Sequence, residues 1–214
     1  MRQRKIKNLD EKLTAHKDQI VADPAGMKGR WAEVLPGRGP LYTEIGCGKG
    51  QFVCGTAARH ADWKLVAFEG HESVALHALE KARTADCDNV RFVLQYVKTL
   101  ADIFQPGEVD GMFLNFSDPW PKARHEKRRL TCGPRLGEYA RVVKKGGLIE
   151  FKTDNVGLFE YTVEEVRSLD FFEITELSRD LHGEFPAGSF VTTEYEDKFA
   201  AEGKKINYIQ IKNL

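Results

Sequence analysis

The sequence predicts an α/β fold, a doubly wound and mostly parallel sheet of seven strands with an antiparallel edge. Three observations predict it. From residue 41 onward, short apolar runs alternate with segments of helical periodicity, at the spacing of successive βαβ units. Gly46, Gly48 and Gly50 punctuate the end of the first run, where such sheets turn into their first helix. The last strands lack a long helix between them, so the final pairing should run antiparallel.

Taken in order, residues 1–22 begin with Arg2, Arg4, Lys5 and Lys7 and hold few apolar positions (Ile6, Leu9, Leu13, Ile20). They are expected to form a basic N-terminal arm, mobile or weakly helical, ahead of a single domain over 23–214. Asp23-Pro24 reads as a helix start leading to Trp31, and residues 36–40 (Pro-Gly-Arg-Gly-Pro) as a breaker. A strand over 41–45 precedes a helix over 49–60 with Phe52, Val53 and Ala57 inward. A strand over 65–68 precedes a helix over 72–85, where Val74, Ala75, Ala78, Leu79 and Ala82 share a face. Then come a strand over 90–94, a short helix over 99–104 and a strand over 109–116. Residues 130–143 read as helix, and Lys145-Gly146-Gly147 as a turn into a strand over 148–153. A helix over 155–169, a strand over 172–177, a loop over 178–189, a short helix over 193–201 and a strand over 206–211 complete the chain.

The 214 residues, 42% hydrophobic and 30% charged, suit one soluble globular domain. No apolar run nears the ~20 residues needed to span a bilayer, and the charged start lacks a secretory h-region. Cys47, Cys54, Cys87 and Cys132 show no C-x-x-C pairing and no nearby His at zinc spacing, so reduced thiols in the cytoplasm are expected. The six histidines (16, 60, 71, 77, 125, 182) form no metal-ligand pattern. Formal net charge is zero, but residues 121–145 hold nine Lys or Arg against two Glu, and residues 150–202 hold fourteen Asp or Glu against four cations. Such a local cationic patch is what a polyanion needs, whatever the remote charge. It also reads as an unevenly charged solvated surface.

Glu44-Ile45-Gly46-Cys47-Gly48-Lys49-Gly50 places an acid on the strand before the glycine turn. A dinucleotide fingerprint would require glycine at 51, where this chain has Gln51, so a NAD-dependent enzyme fits least. The acid-x-Gly-x-Gly-x-Gly order resembles motif I of the Rossmann-like class I S-adenosylmethionine-dependent methyltransferases. That cofactor carries a sulfonium and an ammonium and no pyrophosphate, so an acid beside the loop attracts it. Glu69 ends the second strand, where a carboxylate can accept bonds from both ribose hydroxyls.

Residues 113–129 read Phe-Leu-Asn-Phe-Ser-Asp-Pro-Trp-Pro-Lys-Ala-Arg-His-Glu-Lys-Arg-Arg. A carboxylate, an aromatic plate and a cationic run thus follow one strand end, where ligands of such sheets bind. Asp118-Pro119 also reads as a turn initiator, Trp120 as a core aromatic and 122–129 as a solvated helix start.

Asn-Phe-Ser-Asp-Pro-Trp-Pro-Lys with Arg-His-Glu-Lys-Arg-Arg-Leu resembles the bacterial tRNA (guanine-N7)-methyltransferase family. Phe151-Lys152-Thr153-Asp154-Asn155 and Thr193-Glu194-Tyr195-Glu196-Asp197-Lys198-Phe199 extend the resemblance to about residue 200. It implies methylation of a guanine in the tRNA variable loop, position 46 in tRNA numbering, with S-adenosylmethionine as donor. Cofactor contacts are then implied for Glu44, Gly46, Gly48, Glu69, Tyr96 and Asp118, with Asp118 also the catalytic candidate. Lys122, Asp154, Thr193, Glu194, Tyr195 and Glu196 match substrate-binding positions, and Arg124, His125, Lys127, Arg128 and Arg129 the RNA-contacting segment. Tyr96 departs from the pattern, since the family usually has an acid or amide near the adenine, and Lys98 replaces a common second acid.

Guanine N7 offers an in-plane lone pair without a proton, so no general base is needed and alignment should supply most of the rate. Asp118, assisted by Asp154, would stabilise the positive charge arriving on the purine. Asp154 also reads as a helix N-cap. A monomer or homodimer acting on tRNA without a metal is expected. The alternatives are an amino methyltransferase, whose strand-four motif is Asn/Asp-Pro-Pro-aromatic, and a non-catalytic RNA-binding protein retaining the fold, at which Tyr96 hints.

Overall fold

The computed structural model describes residues 6–214. Seven strands form one sheet among these residues: β1 (Leu41–Ile45), β2 (Lys64–Phe68), β3 (Val90–Val93), β4 (Val109–Asn115), β5 (Val143–Thr153), β6 (Phe172–Ser178) and β7 (Asn207–Asn213), in the spatial order β3-β2-β1-β4-β5-β7-β6. The first five are parallel, and β7 enters antiparallel between β5 and β6. Strand order reverses between β1 and β4, so a crevice opens beyond their carboxyl ends.

Helices α1 (Leu9–Thr14), α2 (Trp31–Val34), α3 (Gln51–Arg59), α4 (Glu72–Thr84), α5 (Gly133–Val142), α6 (Val156–Arg167), α7 (Leu181–Glu184) and α8 (Glu194–Ala201) cover the sheet. On one face Met112, Leu114, Ile149, Phe151, Ile209 and Ile211 pack with Trp31, Leu136, Phe159 and Val163. On the other, α3 and α4 set Val53, Ala57, Ala78, Leu79 and Ala82 against Leu65, Ala67 and Phe92. The small residues on α4 let α3 approach closely. A side chain at Gly50, whose φ is 83°, would meet the Ala78 Cβ at 2.8 Å.

The structure redraws several expected elements. Residues 23–31 form a 3₁₀ turn (Ala25–Met27) and then α2, because Lys28 turns extended (ψ 121°) and Gly29 left-handed (φ 76°) between them. The helix expected from 130 begins at Gly133, with Pro134 in its first turn. The loop expected over 178–189 contains α7, capped where Asp180 accepts from the Gly183 amide at 3.2 Å. β5 starts at Val143 and crosses the Lys145-Gly146-Gly147 turn as an irregularity. The N-terminal arm lies partly outside the described residues, at 1–5. Within 6–22, Ile20 bridges Phe92 of β3 and the arm buries His16 and Gln19. No helix of the described residues is long and apolar enough to cross a membrane.

Candidate active site at the β1–β4 crevice

Glu44 and Asn115 stand on neighbouring strands at the crevice. The Asn115 amide donates to Glu44 Oε1 at 2.9 Å, and both side chains are buried. Glu44 Oε2 is buried without a partner. An orphaned carboxylate oxygen is costly, and burial pushes the Glu44 pKa from 4.5 up to about 7 against the Asn115 bond. Ser117 Oγ, past the end of β4, is likewise buried and unpartnered.

Glu44 therefore makes stability pH-dependent. Between pH 4.5 and 7 the folded chain binds the proton that the unfolded chain has released, so this group's stability is full below pH 4.5 and lost as pH rises through 7. Glu44→Gln should flatten that slope and exceed the wild type at pH 8 by about 3 kcal/mol, since one pKa unit is about 1.4 kcal/mol. Urea denaturation at pH 5 and pH 8 checks it. An unchanged difference between the two pH values would remove the charge from Glu44.

The glycine turn follows β1. Gly46 (φ 82°) and Gly48 (φ 58°) occupy the left-handed region, and a Cβ on either would meet nothing within 4 Å. The space that a side chain would fill at either position is therefore open. The Gly46 and Cys47 amides donate to Phe68 O, and the Glu69 carboxylate accepts from the Gly48 amide at 3.1 Å and the His71 amide at 2.8 Å. Glu69 is thus fixed across the turn. Tyr96 lies beyond β3 with its ring on Gly70, 63% exposed, and its hydroxyl is 2.7 Å from His71 Nε2. Desolvation first, then the nearby Glu69 and Asp118 carboxylates, push its phenol pKa up.

Asp118 is exposed in a strained loop. Phe116 (φ 51°) and Trp120 (φ 40°) bracket it, both non-glycine residues in the left-handed region, at a cost of about 1–3 kcal/mol each. Contacts on both sides hold that strain. The Phe116 amide donates to Lys152 O at 2.9 Å, and Arg129 donates to Pro119 O at 3.3 Å and Trp120 O at 3.2 Å. The basic segment forms a 3₁₀ helix (Ala123–Arg128) wrapped round Trp120, with the Arg128 guanidinium 4.9 Å from the ring centroid and His125 edge-on. Lys122, Arg124 and Lys127 are exposed.

Asp154, at the end of β5, pairs loosely with Lys204 at 3.9 Å. The cap of α6 is Asn155, which accepts from the Leu158 amide at 2.8 Å, so Asp154 is free of that duty. In the 193–196 stretch the four side chains part company. Thr193 caps α8 by accepting from the Glu196 amide at 3.0 Å. Glu194 pairs with Lys81, and Tyr195 is 62% exposed. Glu196 is wholly buried and bound to Lys152 at 3.1 Å and His182 at 3.1 Å. Gln51, at the start of α3, bonds Asp197 and so draws α8 toward the glycine turn.

Two residues of this site lie in the quoted motif blocks, yet sequence reasoning gave neither a role: Asn115 ends an apolar strand and Lys152 is a lone cation in one, a polar residue interrupting each apolar run. Among the described residues no cluster of His, Cys, Asp and Glu could hold a metal. The four cysteines are free and buried.

A family model described as "Putative methyltransferase" matches residues 38–209. The chain is 42% identical to the tRNA (guanine-N(7)-)-methyltransferase of Bacillus subtilis (strain 168), covering 96% of each. It is also 42% identical to the enzyme of that name from Lactococcus lactis subsp. cremoris (strain MG1363), over 100% of this chain and 99% of that one. The chain belongs to the tRNA (guanine-N7)-methyltransferase family. Its fold is that of class I methyltransferases. An rRNA methylase from Streptococcus thermophilus superposes with a TM-score of 0.54 at 14% identity, covering 99% of both chains. The antibiotic-resistance methyltransferase Kmr gives 0.57 at 17%, over 83% of this chain and 88% of that one. In this family member Glu44 and Glu69 flank the glycine turn, and Glu69 and Asp118 both act on the Tyr96 phenol.

Proposed function

We propose that this chain transfers a methyl group from S-adenosylmethionine to N7 of the guanine at position 46 in the tRNA variable loop, acting in the cytoplasm as a monomer or homodimer. One observation carries the reading. An exposed carboxylate on a strained loop, Asp118, acts on the same Tyr96 phenol as Glu69 beside the glycine turn, that turn borders open space, and a basic segment is wrapped on the Asp118 loop.

The residues fit that donor. Glu44 Oε2 is a buried oxygen without a partner, suited to cationic groups, and Gly46 and Gly48 leave room that any side chain would occupy. Glu69 keeps lone pairs for ribose hydroxyls, and Tyr96 offers a ring face for the adenine. S-adenosylmethionine, when bound, supplies an electrophilic methyl group.

The chain's own residues do the rest. Guanine N7 needs no base, so the protein aligns it and excludes water. Asp118 stabilises the positive charge that the purine acquires, with Asp154 assisting. Either acid accepts from guanine N1–H or N2–H, which adenine cannot match. Tyr195 and Glu194 border the base, while Thr193 and Glu196 hold their helix in place. Lys122, Arg124 and Lys127 neutralise phosphates and give affinity without sequence.

Incubating the protein with methyl-labelled S-adenosylmethionine and unmodified bulk tRNA, then digesting to nucleosides, tests the reading. Label in 7-methylguanosine, lost from a tRNA carrying adenine at position 46, is expected. Label in another nucleoside, or none, would refute it.

A further inference from the structure

Arg129 closes the basic segment, yet its guanidinium is spent inside the protein. Nε donates to Pro119 O at 3.3 Å and Nη2 to Trp120 O at 3.2 Å. These are the two carbonyls immediately after Asp118, on the strained turn closed by Trp120 (φ 40°). The opposite surface of the guanidinium lies on the Tyr161 ring, 4.2 Å from its centroid. Tyr161 belongs to α6, which begins two residues after Asp154, and its hydroxyl donates to Glu126 Oε1 at 3.3 Å. The same junction is pinned again by the buried Thr131–Thr162 hydroxyl pair at 2.7 Å.

We propose that Arg129 is a positioning residue for Asp118, a brace between the catalytic loop and α6, and that it is not a phosphate contact. The proposal rests on the functional reading above and separates Arg129 from Lys122, Arg124 and Lys127, whose charged ends are exposed. A planar guanidinium suits this place because it donates in two directions while its face stacks on a ring; an ammonium is a point charge that cannot do both. A left-handed turn of non-glycine residues persists only where its surroundings over-determine it. Arg129 supplies that constraint on one side of Asp118, as the Lys152 carbonyl does on the other. The brace also ties the two proposed acids, Asp118 and Asp154, to a common support.

Three variants test it in the full-length protein: Arg129→Lys, Tyr161→Leu and, as the phosphate-contact comparison, Arg124→Met. Arg129→Lys should lower kcat at saturating tRNA about tenfold or more, leave the salt slope of tRNA binding unchanged and speed hydrogen exchange of the Phe116 amide, which donates to Lys152 O. Tyr161→Leu should do the same more weakly. Arg124→Met should instead reduce the salt slope by about one, with exchange at Phe116 unaltered. If Arg129→Lys lowers the salt slope by about one at normal kcat, or leaves exchange at Phe116 unchanged, the brace is wrong. The exchange readout needs no turnover. Should the wild type fail to methylate tRNA, the functional reading falls while the brace is still judged.

Discussion

Asp118→Ala is expected to reduce methyl transfer to tRNA about a hundred- to a thousand-fold, the range seen when one preorganised electrostatic group is removed from a site. The fold should survive. Asp118 is exposed, and the bonds that shape its loop come from the Phe116 amide and the Pro119 and Trp120 carbonyls. Its carboxylate is therefore not needed to build the loop. Asp118→Asn should lose nearly as much, because N7 requires no proton transfer and the charge is what matters. Single-turnover rates at saturating tRNA and S-adenosylmethionine would measure the chemical step. Thermal unfolding should stay within a degree or two of the wild type. Turnover of either variant within tenfold of the wild type would end the catalytic assignment.

Lys152→Met should have the largest effect on stability, about 3–5 kcal/mol, as expected for removing one partner of a buried ion pair. Lys152 is 1% exposed and Glu196 0%, and the ammonium also donates to Val191 O at 2.8 Å. Desolvation pushes the Lys152 pKa down, and Glu196 is the chief force opposing it. Without the cation, Glu196 keeps only His182 at the protein edge. The 191–196 stretch would then lose its anchor on β5, so affinity for tRNA should fall as well. Replacing both partners by apolar residues, Lys152→Met with Glu196→Leu, should recover much of the loss, because the desolvation penalty of the pair disappears with it. Urea midpoints of the three proteins decide the matter. A loss below 1 kcal/mol for the single variant would mean that water reaches this pair.

Much of the scaffold was legible before any coordinates. The strand over 41–45 agrees residue for residue with β1, and of the five residues expected on the inner face of the 72–85 helix Ala75, Ala78, Leu79 and Ala82 are buried, whereas Val74 is half-buried and Leu76 is buried beside them. Strands and helices announce themselves through apolar period, and turns through glycine and proline, both local signals. The misjudged elements have local causes too. Lys28 and Gly29 split the 23–31 helix, and an Asp180 cap created α7 within what read as loop. Place in the fold was legible for Glu44, Glu69 and Asp118, since a strand end and a glycine turn are sequence features.

Side-chain duty was not. The 193–196 stretch looked uniform, yet Thr193 caps a helix, Glu194 pairs with Lys81, Tyr195 meets solvent and Glu196 is sealed against Lys152. The five basic-block residues likewise looked alike, while Arg128 stacks on Trp120 and Arg129 grips two carbonyls.

Fold class, the succession of the seven strands and the family were all written in the chain's local pattern and motifs. Tertiary structure alone decided which charges are buried, which are paired and which are left open. Asn115 reaches Glu44 across 71 residues and Lys152 reaches Glu196 across 44. The reason is physical. Periodicity is written in neighbouring residues, whereas desolvation and charge pairing depend on atoms that only folding brings together.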